Sequence, residues 1–204
     1  MTKPSAQTDP DLARKAFADR VRKIRKDKGM TIQDVADRAG MAVSTISKIE
    51  RNLMAPTYDR FSQLARGLDV DLSELFAEGG DEFNAGEFAI CRSGDEGYLE
   101  TENYTYEMLF PEVRGRTMTP MLGTLKPLEK MRFDRMVSHP GEEFLFVVEG
   151  RVVVQSEGQD PVVLRAGESL YFDSGRGHLY ASAGDNPARI LCVCTGLERQ
   201  DDRD

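Results

Sequence analysis

Apolar residues recur at helical spacing through the first part of the chain. Between residues 11 and 77 they lie three or four positions apart, in short segments that glycine, proline and capping residues separate. This pattern predicts an all-α region of five short helices. The first ends near Gly29, the second runs from Thr31 to Gly40, the third covers residues 43–51, the fourth opens at Pro56 and Thr57, and Asp71 caps the fifth.

The hydrophobic period changes to two in the second part of the chain. Residues 79–88 are rich in glycine and acidic side chains and are interpreted as a linker. Beyond them, short β-rich runs alternate with turns formed by Gly, Pro, Asp and Asn, which predicts an antiparallel sandwich or barrel. The clearest runs cover residues 104–110, 131–138, 143–148, 151–155, 169–173 and 188–195.

The two patterns predict two domains of different class. A helical domain is expected over residues 11–78 and a β domain over residues 89–198, with residues 79–88 between them. The polar ends, residues 1–10 and 199–204, are expected to be flexible tails.

Composition limits the classes of protein to consider. Hydrophobic residues make up 40% of the chain and charged residues 30%, which is typical of a soluble globular protein. No apolar run approaches the ~20 residues that cross a bilayer, and the first residues lack the apolar core of a secretory signal, so a cytoplasmic protein without a membrane partner is expected. The cysteines, Cys91, Cys192 and Cys194, are odd in number and lack metal-site spacing, so buried reduced thiols are expected.

Charge is distributed unevenly along the chain. The net charge is −8, yet residues 1–80 carry 14 Lys and Arg against 12 Asp and Glu, whereas residues 81–204 carry 13 against 23. An acidic surface repels phosphate, so a nucleic-acid contact is expected only in the first part. Residues 14–28 concentrate eight basic side chains against two acidic ones, and this stretch is a candidate phosphate-facing surface.

Residues 31–51 have the features of two helices that cross at a steep angle. Small Ala36 lies where the two helices would cross, and Gly40 lies in the turn between them. The run resembles the XRE, or lambda-repressor-like, helix-turn-helix family, and the resemblance extends over roughly five helices up to Phe76. It implies a five-helix DNA-binding domain whose third helix reads double-stranded DNA. A helical bundle that binds protein is the alternative.

The same resemblance assigns candidate DNA contacts. The exposed side of the third helix would carry Val43, Ser44, Thr45 and Lys48, opposite buried Ile46 and Ile49. Ile32 occupies the position where the family usually has glutamine, and Gln33 follows one place later, so Thr31 and the helix N-terminus are expected to replace that phosphate contact. Glu50 is expected to form a structural ion pair with an arginine of the first helix. The full set of candidates is Thr31, Gln33, Val43, Ser44, Thr45, Ser47 and Lys48.

The chain contains two histidines, and each follows a β-rich run and a turn. His139 precedes Pro140 and Gly141, with Glu143 four positions later, while His178 follows Gly167 and a second run. These segments resemble the two conserved motifs of the cupin superfamily, over about residues 89–197. The resemblance implies a cupin barrel, also called a double-stranded β-helix or jelly roll.

The cupin motifs imply a ligand set inside the barrel. His139, Glu143 and His178 match metal-binding positions, which implies a divalent Zn, Fe, Mn or Ni ion. Val137 replaces the first histidine of the family and Asp173 replaces the usual proline of the second motif. A polar pocket that hydrogen-bonds an organic ligand without metal therefore remains open. Alternation adds two candidate effector contacts, Arg135 and Tyr180, and the arginine indicates a carboxylate-bearing effector.

These features together favour a transcriptional regulator that is not an enzyme. The β domain would bind a small-molecule effector and change how a homodimer engages an inverted-repeat operator. The chief alternative is a metal-dependent cupin enzyme, a dioxygenase or isomerase, with an appended helical domain, and Val137 is the residue that argues against it. A purely structural cupin with a constitutive DNA-binding domain is the third hypothesis.

Overall fold

The computed structural model describes residues 9–70, 72–76, 80–132 and 136–195. Contacts divide the chain into two compact units. The first contains the described residues up to Thr101 together with residues 105–116, and the second contains residues 102–104 and the described residues from Thr117 onward. None of the helices in these ranges is both long and apolar enough to cross a membrane.

Four α-helices and one short 3₁₀ helix lie in the described residues up to Phe76. The α-helices are α1 (Pro10–Asp27), α2 (Ile32–Ala39), α3 (Val43–Glu50) and α4 (Tyr58–Leu68), and the 3₁₀ helix covers Leu72–Leu75. The fifth predicted α-helix is therefore a 3₁₀ turn of four residues, a length typical of that geometry. Asp71, its predicted cap, lies outside the described residues.

The turn between α2 and α3 forms as its residues predict. Thr31 and Asp34 make a reciprocal capping box at the start of α2, and Gly40 ends the helix in the left-handed conformation, at φ 64°. Helix α2 packs closely on α4, because a Cβ added at Gly67 would lie only 2.6 Å from the Cβ of Ala39. Val35, Ala36 and Ala39 are the residues of α2 that this packing buries.

Aromatic side chains form the centre of the first unit. The ring of Phe61 is fully buried and lies edge-on to three others, with centroid distances of 5.4 Å to Phe17, 5.4 Å to Phe76 and 5.9 Å to Tyr106. Ile46 and Ile49 of α3 are also buried. The core therefore fixes which face of α3 points to solvent.

The first unit also contains short strands. Strand β1 (Asp81–Glu82) pairs in parallel with β4 (Val113–Arg114), and β2 (Gly97–Glu100) pairs antiparallel with β3 (Tyr104–Met108). Residues 81–82 of the expected linker thus form a strand, and Gly79 lies outside the described residues. The domain boundaries remain a prediction.

Two antiparallel groups of strands build the second unit. One places β5 (Met118–Leu125), β11 (Ala188–Thr195), β6 (Glu142–Glu149) and β9 (Ser169–Asp173) side by side in that order. The other places β7 (Arg151–Ser156) between β10 (His178–Ser182) and β8 (Val162–Arg165). A further 3₁₀ helix covers Leu128–Lys130. The predicted antiparallel β class is correct, and β6 and β11 are its central pair.

One predicted strand is absent from the described residues. Of the run 131–138, the structure describes residues 131–132 and 136–138, and these form a single bridge, Val137 with His178, in place of a strand. The bridge has two backbone hydrogen bonds, from Val137 N to His178 O at 3.0 Å and from His178 N to Val137 O at 2.8 Å. Residue 137 therefore holds the start of β10 through its backbone.

Candidate functional site

Helix α3 presents a polar face to solvent. Val43, Ser44 and Lys48 are exposed and Thr45 and Ser47 are half-buried, while Ile46 and Ile49 are buried on the opposite side. The predicted division of this helix between a core face and an outer face is what the packing produces. Hydroxyl and ammonium groups on an exposed helix face suit both base edges and phosphates.

The start of α2 is also exposed, but its side chains have internal partners. The Asp34 amide donates to the Thr31 hydroxyl at 3.1 Å, and that hydroxyl donates to the Asp34 carboxylate at 2.7 Å. The Thr31 hydroxyl and the Thr31 backbone amide both donate to the Asp34 carboxylate, and these two bonds hold the pKa of Asp34 below its ordinary value. The Gln33 amide donates to Asp37 at 2.8 Å. Thr31 therefore acts as the helix cap, and the exposed amide of Gln33 can change partner at little cost.

A buried ion pair joins α1 to the end of α3. Arg25 Nε lies 2.5 Å from Glu50 Oε1 and Arg25 Nη2 lies 2.9 Å from Glu50 Oε2, with side chains that are 11% and 5% exposed. Arg25 Nη1 also donates to Met30 O at 2.8 Å. The hydrogen bond with Glu50 raises the pKa of Arg25. The expected structural role of Glu50 is confirmed, and Arg25 is its partner.

The basic side chains of the stretch 14–28 differ in their surroundings, and that of Arg20 is half-buried. Arg14 donates to Asn52 and Asp11, Arg25 is paired with Glu50, and Lys28 donates to the carbonyl of Asp69. These three cations hold α1 to neighbouring residues. The side chains of Lys15, Arg22, Lys23 and Lys26 are exposed. The candidate phosphate-facing surface of α1 is therefore smaller than the charge count indicates.

The second unit contains a buried cluster of ionisable side chains. His139, from the segment before β6, places Nε2 3.1 Å from Glu143 Oε2, and His178 at the start of β10 places Nε2 3.6 Å from the same oxygen. All three side chains are at most 5% exposed. The backbone amide of His139 donates to Ser174 O at 2.9 Å, which fixes that segment. The structure thus brings together the three residues that the cupin motifs indicated.

Two thiols complete this cluster, although the sequence motifs did not indicate them as site residues. The Cys192 thiol donates to Glu143 Oε1 at 2.9 Å, and Cys194 Sγ lies 3.5 Å from Glu143 Oε2 and 3.7 Å from Cys192 Sγ. All three cysteines of the chain are free thiols, and the two in the cluster are buried, as expected, while Cys91 is half-buried. Their spacing of two on a predicted strand was the signal, because it places both on one face.

The charges of the cluster depend on one another. Burial alone would raise the pKa of Glu143, but the hydrogen bond from His139 and the positive charge of His178 and His139 hold it below its ordinary value. Burial alone would lower the pKa of His139, but the contacts with Cys194 and Glu143 raise it to about 10. Burial and the neighbouring Cys194 raise the pKa of Cys192. The cluster therefore favours an ionised Glu143 beside a protonated His139.

Aromatic rings surround His178. The Phe172 ring lies 5.0 Å from it and the Tyr180 ring 6.3 Å, the latter stacked, and Tyr180 is buried with its hydroxyl 4.0 Å from Cys192 Sγ. The Tyr104 hydroxyl donates to Tyr180 O at 2.9 Å, and burial raises the pKa of Tyr104, which keeps this hydroxyl protonated. Tyr180 is thus part of the cluster wall. Arg135 lies outside the described residues.

The donor atoms of the cluster could hold a metal ion. One ligand atom each from His139, Glu143 and Cys194 lie within 4.8 Å of one another. The Nδ1 atom of His178 lies 2.9 Å from Arg176 O, and this contact assigns the proton to Nδ1 and leaves Nε2 as the atom able to bind a metal. Asp173 accepts from Gly175 N at 2.8 Å in the adjacent turn and is exposed. Imidazole, carboxylate and thiolate together suit a divalent transition metal.

Comparison with known proteins identifies both parts of the chain. A helix-turn-helix family model matches residues 21–75, and a cupin domain model matches residues 125–194. A crystal structure of an HTH_3 family transcriptional regulator from Vibrio cholerae superposes with a TM-score of 0.60 over 91% of this chain and 98% of its own, at 21% identity. That likeness supports the fold.

Curated relatives define the class of protein. The HTH-type transcriptional regulator PuuR of Escherichia coli (strain K12) is 25% identical over 176 residues, which cover 86% of this chain and 92% of PuuR. The regulator SinR of Bacillus subtilis (strain 168) is 37% identical over 60 residues, or 29% of this chain and 54% of SinR. The chain is a DNA-binding transcriptional regulator that contains a helix-turn-helix domain and a cupin domain. Within that class it is similar to PuuR over most of both chains, which supports the expectation that it is not an enzyme.

Proposed function

We propose that the cupin domain senses a small molecule and thereby changes how the helix-turn-helix domain binds its operator. The observation that carries this proposal is the buried cluster of two imidazoles, one carboxylate and two thiols in a DNA-binding regulator. Buried ionisable groups cost stability, and a fold that needs only packing would fill these positions with apolar side chains. Such clusters occur preferentially at functional sites.

The proposed organisation follows the predicted domains. Residues 11–78 form the five-helix DNA-binding domain, counting the 3₁₀ turn as its fifth helix, and residues 89–198 close into the cupin barrel, with 79–88 as linker and tails at both ends. The protein acts in the cytoplasm as a homodimer. Two α3 helices about 34 Å apart would enter successive major grooves, so the operator is an inverted repeat.

The proposed DNA contacts lie on α3 and at the start of α2. Lys48 reaches a guanine or a phosphate, Ser44 and Thr45 hydrogen-bond base edges or phosphates, and Val43 contacts a thymine methyl. The exposure of Val43, Ser44 and Lys48 supports these roles, and Thr45 beside them is half-buried. The remaining members of the proposed set are Thr31 and Gln33, through phosphate contacts, and Ser47.

The proposed effector site is the interior of the cupin domain. His139, Glu143, His178 and Tyr180 line it, and Arg135 would pair with a carboxylate on the effector. A divalent Zn, Fe, Mn or Ni ion held by His139, Glu143 and His178 would polarise and orient that effector. The residues themselves exclude water and fix the donor atoms, since each of the four is buried.

Operator binding tests the DNA-binding part of the proposal. In a gel-shift assay with genomic fragments, we expect at least one duplex to bind a dimer of the protein at physiological salt. Footprinting should then reveal two half-sites about one helical turn apart. The proposal is wrong if no duplex competes better than random DNA.

If the two domains bind DNA and effector separately, one substitution in each domain should affect only one of the two activities. Lys48→Ala should weaken operator binding by roughly tenfold to a hundredfold, since one base or phosphate contact contributes about 1–3 kcal/mol. It should leave effector binding unchanged. His178→Ala should abolish the thermal shift caused by an effector found in a screen of acids, amines and amino acids, and leave unliganded DNA binding intact.

Matched variants make this result interpretable. Lys130→Ala removes an exposed lysine of the second unit and should change neither measurement. Circular dichroism of each variant checks that it folds. If Lys48→Ala and His178→Ala both merely unfold the protein, or each reduces both activities equally, the two sites do not act separately.

A further inference from the structure

We infer that Cys194 is a metal ligand, so that the cluster is a thiolate-containing site selective for Zn²⁺ or Fe²⁺ over hard cations such as Mg²⁺ and Ca²⁺. This inference deepens the proposed sensing function and rests on it. It differs from the motif-derived set of His139, Glu143 and His178 because a sulfur donor enters from another strand.

The strand register positions this donor. Strand β11 lies beside β6, and Cys194 is directly opposite Glu143 in the antiparallel register. Side chains of directly opposed residues point to the same face of a sheet, and both of these are buried. His139 contacts the same carboxylate oxygen from the segment before β6. Three donors of different chemistry therefore converge from three parts of the chain.

The spacing of the donor atoms fits a small coordination sphere. Ligand atoms about 2.0–2.3 Å from a tetrahedral Zn²⁺ lie roughly 3.5 Å from each other. Glu143 Oε2 lies 3.1 Å from His139 Nε2, 3.5 Å from Cys194 Sγ and 3.6 Å from His178 Nε2. The distances from Glu143 to His139 and to Cys194 are near the tetrahedral value, and one donor atom from each of these three residues lies within 4.8 Å of the other two, a group that does not include His178.

Cys194 also provides a donor in place of the motif histidine that this chain lacks at position 137. The half-buried Val137 has no donor atom in its side chain, and its backbone is committed to the bridge with His178. Cys194 supplies a donor to the same buried cluster from β11. The neighbouring Cys192 thiol donates to Glu143 Oε1, the other carboxylate oxygen, so Cys192 is a positioning residue that orients Glu143.

The donor chemistry determines which ions can bind. Thiolate is a soft ligand that favours Zn²⁺, Fe²⁺ and Co²⁺, whereas Mg²⁺ and Ca²⁺ require oxygen ligands in larger number. Binding displaces the proton on the Cys194 thiol and the proton that His139 carries toward Glu143, and both leave to solvent. A sensor with this donor set would respond to its metal, or to an effector that binds the metal's open position.

Cobalt spectroscopy tests the assignment directly. The full-length protein is treated with chelator and titrated with Co²⁺ as the probe, and the near-ultraviolet absorption of thiolate-to-cobalt charge transfer is recorded. The wild-type protein and Cys91→Ser are expected to show this band, as is Cys192→Ser, since Cys192 only positions Glu143. Cys194→Ser is expected to lose the band and to bind Zn²⁺ at least about tenfold more weakly, the lower limit for loss of a partner of a metal ligand.

The outcomes separate this inference from the sensing proposal. Cobalt bound by the wild-type protein without the charge-transfer band, or a band that survives Cys194→Ser, overturns the role of Cys194 while a histidine and carboxylate site stands. The measurement on the wild-type protein is decisive whether or not the Cys194→Ser variant folds. Failure of the wild-type protein to bind Co²⁺ or Zn²⁺ at all also overturns it. The sensing proposal itself fails only if, in addition, no compound shifts the thermal transition or operator binding. Millimolar Mg²⁺ is expected to leave the cobalt band unchanged.

Discussion

Replacement of Glu50 by alanine is expected to destabilise the helix-turn-helix domain by about 3–5 kcal/mol, the usual consequence of removing one partner from a buried ion pair. The Arg25 guanidinium makes two hydrogen bonds to this carboxylate, and it is only 11% exposed, so it cannot recover full hydration. Urea unfolding followed by helical circular dichroism measures the change. Operator binding should fall with it, because the pair anchors the end of α3 to α1.

A double variant tests whether the loss of stability arises because Arg25 is left as a buried charge without its partner. In Arg25→Met with Glu50→Leu, apolar side chains of similar length replace both charges, and most of the stability is expected to return. Arg51→Ala, at the neighbouring exposed position, should change stability by no more than about 0.5 kcal/mol. If Glu50→Ala costs less than about 1 kcal/mol, the ion pair does not hold the end of α3 in place.

The features that sequence predicted well are local ones. Thr31 and Asp34 are three positions apart, and Gly40 directly follows the helix it ends, so their roles depend on the nearest turn of chain alone. The inner and outer faces of α3 follow from periodicity in the same way. Arg25 was harder to identify: the first helix offers several arginines, and only the crossing of α1 with α3 selects the one that reaches Glu50.

Contacts between distant strands could be predicted only in part. The alternation of residues 188–195 places Cys192 and Cys194 on one face, but their approach to Glu143 depends on the pairing of β11 with β6, about fifty positions away. No short-range pattern encodes that register. His139 and His178 were found because they match the positions of histidines in the cupin motifs. The four-residue 3₁₀ helix at Leu72–Leu75, and the isolated bridge at Val137 among the described residues of the run 131–138, are further departures from local propensity.

The removal of Glu143 is expected to have the other large effect, about 3–5 kcal/mol in the metal-free protein. The carboxylate is 1% exposed, and its oxygens contact both imidazoles and both thiols of the cluster. Without it, His139 must lose its proton or remain a buried charge without a partner, and either costs free energy. Urea unfolding after chelation, followed by near-ultraviolet circular dichroism, measures the loss. The chain has no tryptophan, so its tyrosines, including the buried Tyr104 and Tyr180, report on this domain.

Two neighbouring substitutions test whether this cost arises from the cluster. Glu142→Ala removes an adjacent, exposed carboxylate that accepts from the Tyr171 hydroxyl, and it should change stability by about 0.5 kcal/mol or less. Glu143→Gln keeps the shape and one acceptor oxygen but cannot accept from both the imidazoles and the Cys192 thiol, so an intermediate loss of about 1–3 kcal/mol is expected. A Glu143→Ala protein as stable as the Glu142→Ala protein would mean that the cluster is not held together by this carboxylate. In that case its donors would lack the fixed geometry that both the sensing site and the metal site require.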